Sequence, residues 1–135
     1  MTVTLLDGLV LARSAFHHSV NYRSVLILGT AVPVNDPVEK AHALGAIVEH
    51  TVPGRTADAR AGDDKEMRAT IVLRLPITEA SAKVRVGGPK DDPEDMALPV
   101  WAGVIPLRTV VGEPLVDEDC SVAAPAYVTD YRRPG

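Results

Sequence analysis

The sequence predicts a mainly β domain, a small β-barrel with a helical cover. Three observations point there. Runs of strand formers outnumber helical stretches, one well-marked amphipathic helix interrupts them, and 135 residues suffice for a single domain with its own core. Residues 1–110 carry this pattern, and 111–135 read as an irregular, Pro-containing C-terminal extension.

The elements follow in chain order. Thr2 to Leu6 and Leu9 to Arg13 are strand-forming runs around Asp7-Gly8, a pair suited to a two-residue type I′ turn, so a tight hairpin is expected. After a polar break at Ser14 to Ser19, Tyr22 to Val32 reads as a long strand. Its Val25 to Leu28 run is apolar on both faces, which argues for burial from both sides, as in a barrel wall or an interface. Gly29 marks a bend or bulge in it.

Asp36-Pro37-Val38-Glu39 is a helix start, with a capping residue, a proline at the first helical position and a glutamate where a capping-box partner belongs. Val38, Ala41, Leu44, Ile47, Val48 and Val52 then form a one-sided stripe, and Pro53-Gly54 stops the helix. This is the expected cover over one face of the sheet. Arg55 to Lys65 is a polar loop with a short helical turn through Arg68. Ala69 to Leu75 and Ala80 to Val86 read as strands, Lys90 to Asp95 as an acidic surface loop, and Leu98 to Val111 holds a last strand.

Composition narrows the function. The chain is 46% hydrophobic and 24% charged with a formal net charge of −4, so there is no general electrostatic drive toward nucleic acid or an anionic membrane. Aromatics at 4% are too sparse for base-stacking platforms. Cys120 is the only cysteine, which excludes an intrachain disulfide and a multi-cysteine zinc site. Asp7 and Arg13 interrupt the apolar N-terminal stretch, so neither a signal peptide nor a transmembrane span is read, and the expected location is the cytoplasm. P-loop, GxGxxG, HExxH, GxSxG and CxxC patterns are absent from the sequence.

Chemistry concentrates between Ser14 and Val25, where hydroxyls, imidazoles, an amide, a phenol and a guanidinium lie between two strands. Such groups suit the polar edge of a planar heterocycle or a phosphate, although a plain polar connection has the same composition. Lys83 and Arg85 alternate on one strand and so share a face, either a cationic wall for an anionic ligand or a solvent-facing pair. Trp101 is a ring-stacking, interface or core residue. No metal site is expected. His17 and His18 point to opposite faces if extended, His42 and His50 lie about two helical turns apart, and Asp91 to Asp95 lacks the pattern of a calcium loop.

The segment DGLVLARSAFHHSVNYRSVLILG, followed by DPVEKAHALGAIVEHTVPGR, LPITEASAKVRVGGP and ALPVWAGVIPL, resembles the pyridoxamine 5′-phosphate oxidase-related flavin-nucleotide-binding proteins, in their nitroimidazole-resistance-like branch. The likeness runs from Met1 to about Leu107. It implies an FMN-binding split β-barrel, a homodimer with flavins at the subunit interface, and flavin-linked redox chemistry or flavin storage. Carried over by position, His18, Ser19, Asn21, Tyr22 and Arg23 are the implied flavin contacts, with Lys83, Arg85 and Trp101 of second rank. No acid–base catalyst is implied.

Family members carry an N-terminal helix, further strands and a phosphate-gripping Gly/Ser/Arg stretch ahead of the TVTLLDG segment. The chain as given begins past these, so the expectation is a barrel incomplete at its N-terminus, with a weaker flavin grip and an open first edge. Two other readings follow: a truncated, non-catalytic dimeric barrel that no longer binds flavin, and a related barrel holding haem or a deazaflavin, with His17 or His18 as the axial ligand of the haem.

Overall fold

A computed structural model describes residues 1–132; residues 133–135, the end of the expected C-terminal extension, lie outside the described residues. The strands are β1 (Thr2–Leu11), β2 (Ser19–Leu28), β3 (Val32–Pro33), β4 (Leu73–Arg74), β5 (Glu79–Arg85) and β6 (Gly103–Pro106). The helices are α1 (Pro37–Thr51), α2 (Asp64–Ala69) and α3 (Ala126–Thr129). Two compact units emerge, one from Met1–Thr30 with Pro76–Thr109, the other from Ala31–Leu75 with the described residues that follow Thr109.

The first unit is an antiparallel sheet of order β5-β2-β1-β6. Asp7-Gly8 is not a hairpin turn, contrary to the sequence expectation. β1 runs straight through it, and the register against β2 slips there: Leu6 stands opposite Tyr22 and Gly8 opposite Asn21, leaving Asp7 as the extra residue of a bulge. The reason for glycine is β6. A Cβ on Gly8 would lie 3.0 Å from Val104 Cγ1 and 3.1 Å from the Ile105 carbonyl oxygen, a tight fit that β6 would have to yield to by a few tenths of an ångström. The same pairing corrects the expected open edge, but only in part. Gly8 to Leu11 is covered by β6, while Thr2 to Leu6 has β2 as its sole ladder partner among the described residues.

Residues directly opposite one another share a face of a sheet. On one face Val10, Ala12, Ile27 and Asn21 are buried and form the unit's core. Asn21 is satisfied there, donating from Nδ2 to the Gly87 carbonyl at 3.0 Å and accepting from Arg85 at 3.0 Å. The Val25 to Leu28 run is not buried from both sides within this chain. Ile27 is 6% exposed, but Val25 and Leu26 retain 40% and 41%.

In the second unit, α1 begins as expected: Asp36 accepts from the Glu39 amide at 2.7 Å and Pro37 opens the helix. Glu39 does not close a capping box; its carboxylate takes Arg74 instead, at 3.0 Å. No α1 residue is buried, and Val38 and Ile47 of the apolar stripe stay exposed. The capping box lies at α2, where Asp63 and Glu66 exchange bonds. Arg60 and the Asp63 amide bring the Glu66 carboxyl down to about 2. That start carries the helix to Ala69, so the expected strand Ala69 to Leu75 shrinks to β4.

Candidate flavin-binding face

The unburied face of the sheet is built by alternation. Leu9, Tyr22 and Ser24 belong to it, as do Lys83 and Arg85, because Tyr22 is opposite Arg85, Ser24 opposite Lys83, and Leu9 is flanked by Val20 and Ile105. Thr4 joins Ser24 through a hydroxyl contact of 2.8 Å. Gly103, opposite Leu11, sits under the Trp101 ring, where a Cβ would approach the indole to 2.9 Å. Trp101 therefore lies over the β6 end of this face with most of its surface open.

One face thus combines an apolar stretch, from Leu9, Ile105 and Trp101, with hydroxyls and the Lys83 ammonium, while Arg85 belongs to it by register and turns its guanidinium to the core-face Asn21. Lys83 is exposed and makes no ion pair among the described residues. Arg85 is half-buried and anchored on the Asn21 amide oxygen and the Val20 carbonyl. These donors suit the phosphate of a flavin nucleotide, and the apolar part suits a planar ring.

Of the residues singled out from sequence, the structure gathers Tyr22, Lys83, Arg85 and Trp101 on this face. Ser19, Asn21 and Arg23 stand on the other one by register. Arg23 is paired with Asp7, its Nε donating at 3.0 Å, and that bond and charge push its pKa further up. His18 lies just before β2 and is exposed. Its Nδ1 donates to the Ser14 carbonyl at 3.0 Å, and its Nε2 makes no hydrogen bond among the described residues. Ser24 and Thr4 were not singled out individually. The signal for Ser24 was available, since it is two residues from Tyr22 and strands alternate.

The family model described as pyridoxamine 5′-phosphate oxidase matches residues 1–84, well over half of the chain. The chain belongs to the pyridoxamine 5′-phosphate oxidase family. Two solved structures share the split-barrel fold of this family with it. The flavocytochrome Anf3 from Azotobacter vinelandii is 46% identical with a TM-score of 0.89, over 97% of this chain and 62% of that one. An FAD and haem binding protein from Mycobacterium smegmatis is 41% identical with a TM-score of 0.87, over 96% of this chain and 64% of that one. The family member described here therefore spans a little under two thirds of the length of each. No curated protein sequence matches the chain. Among the described residues, no helix is long and apolar enough to cross a membrane.

Proposed function

We propose that this chain binds a flavin nucleotide on the open face of its sheet and serves electron transfer to or from a small molecule. The observation that carries this reading is the unpaired Lys83 beside the anchored Arg85, opposite Tyr22 and Ser24, on the face that also presents Leu9, Ile105 and Trp101. Lys83 and Arg85 hold the phosphate, Ser24 and Tyr22 supply hydroxyls, and the apolar stretch with Trp101 shields the ring from water. A bound flavin supplies one- and two-electron redox chemistry, and the protein contributes orientation and charge.

FMN is the flavin the sequence resemblance implies. FAD is a second reading, favoured by the named cofactor of the 41%-identical mycobacterial protein. Fluorescence-quenching titrations with FMN and FAD decide between them. Saturable quenching by either is expected, tighter for the true cofactor, and a folded protein that quenches neither overturns the proposal. Haem as an additional cofactor is supported by both relatives' names and by His18, whose Nδ1 bond to a backbone carbonyl is the orientation typical of a metal-ligating histidine. A Soret band after haem addition that disappears in His18→Ala is expected; a band unaffected by that change assigns haem elsewhere.

The proposal also includes a cytoplasmic homodimer, with residues 1–110 as the flavin-binding domain. Val3, Leu5 and Leu6 on β1 and Val25 and Leu26 on β2 leave apolar surface open on both faces of the ribbon, more than isolated exposed side chains account for. Light scattering at micromolar concentration is expected to report twice the chain mass. A monomer contradicts the dimer.

A further inference from the structure

Away from the flavin face, three metal-ligating side chains from distant parts of the chain converge. His17 closes a 3-10 turn, Ala15–His17, while Asp92 and Asp95 flank the start of another, Pro93–Ala97. One ligand atom from each lies within 4.8 Å of the other two, and His17 Nε2 is 3.8 Å from an Asp92 carboxylate oxygen.

The neighbouring residue explains how they meet. Asp91 accepts from the Arg13 amide and from its guanidinium, both at 2.7 Å, and its side chain is 1% exposed. That clamp fixes the 91–95 loop against the turn after β1, so the three side chains are brought together without help from an ion.

None of the three is committed elsewhere. Asp92 occupies an N-cap position yet makes no capping bond, whereas Ser14, Asp36 and Asp63 at the corresponding positions of other helical segments all cap. The His17 ring makes no hydrogen bond within 3.5 Å, and its Nδ1 is buried without a partner. Among the described residues no lysine or arginine pairs with Asp92 or Asp95. Two carboxylates and an imidazole thus converge at this spacing with no lysine or arginine among them.

We propose that His17, Asp92 and Asp95 bind a first-row divalent cation, with one imidazole nitrogen and two carboxylate oxygens as protein ligands and water in the remaining positions. The mixed nitrogen and oxygen set suits Zn²⁺, Co²⁺ or Mn²⁺ better than Ca²⁺ or Mg²⁺, which favour all-oxygen shells. Ligands at about 2.0–2.2 Å from zinc stand roughly 3–3.5 Å apart, so small side-chain rotations close the site.

The test is a Co²⁺ titration of the flavin-free and haem-free chain followed by visible absorption, with Zn²⁺ as competitor. One equivalent is expected to bind with d–d bands that Zn²⁺ abolishes. His17→Ala and Asp95→Asn should each weaken binding at least about tenfold, while His42→Ala on α1 leaves it unchanged. Folding of each variant is checked by circular dichroism, and if His17→Ala does not fold, Asp95→Asn carries the test. Absence of Co²⁺ and Zn²⁺ binding to folded wild-type protein overturns the proposal, as does binding that neither substitution weakens. Neither outcome bears on flavin, because the flavin face shares no residue with this cluster.

Discussion

Lys83→Glu is expected to weaken flavin binding about 10- to 100-fold, the loss of one charge-assisted hydrogen bond to a phosphate, with like-charge repulsion added. The thermal midpoint should not move, because Lys83 is exposed, stands opposite Ser24 on an edge strand and makes no ion pair among the described residues. Lys65→Glu on α2 is the charge-matched control and should leave flavin affinity intact. Arg85 cannot serve as cleanly, since its guanidinium also bonds Asn21 and the Val20 carbonyl, and its loss would weaken sheet and site together. Equal affinities for wild type and Lys83→Glu would move the phosphate off this face.

Asp91→Ala is expected to cause the largest loss of stability among the chain's ion-pair substitutions. The carboxylate is enclosed and takes both the Arg13 amide and its guanidinium across 78 residues of sequence. Removing it leaves a partly buried charge unpaired, on a guanidinium whose Nε already lacks an acceptor. The surface pair Arg60–Glu66 should matter far less. The pH dependence gives a second readout of the Asp91 clamp. Burial pushes the Asp91 carboxyl up, but the Arg13 and Ser14 amides and the Arg13 charge outweigh it, so its pKa lies below the ordinary value. A carboxyl depressed on folding stabilises fully above its unfolded pKa, about 4, and that contribution disappears as pH falls through the folded value. Acid unfolding of wild type should therefore include a component below about pH 4 that Asp91→Ala lacks. Thermal denaturation at neutral and acid pH measures both effects, and an unchanged midpoint at neutral pH would contradict the clamp.

What the sequence disclosed and withheld follows the range of the deciding contact. α1 was legible because Asp36 and Pro37 act on amides within one turn. Asp7-Gly8 misled because the same pair serves a hairpin turn and a bulge. The choice rests on β6, about a hundred residues away, which pairs with Gly8 to Leu11 and packs its Val104 and Ile105 tightly against the glycine. The strand expected from Ala69 lost its first residues to a capping box at Asp63, a local signal that the polar loop obscured. In the site, Lys83 and Arg85 were readable as a pair from their alternation, and the same period separates Tyr22 and Ser24 from Asn21 and Arg23. The His17, Asp92 and Asp95 cluster was not readable. Its members come from two polar loops that each look solvated alone, and the Arg13–Asp91 clamp that joins them spans 78 residues.

The most direct measurement is a visible absorption spectrum of the purified chain after incubation with FMN or FAD and desalting. Flavin bands that co-elute with protein are the predicted result, and their absence in Lys83→Glu would place the phosphate on the β2–β5 face. A colourless wild-type protein with an intact circular dichroism spectrum would contradict flavin binding by this chain.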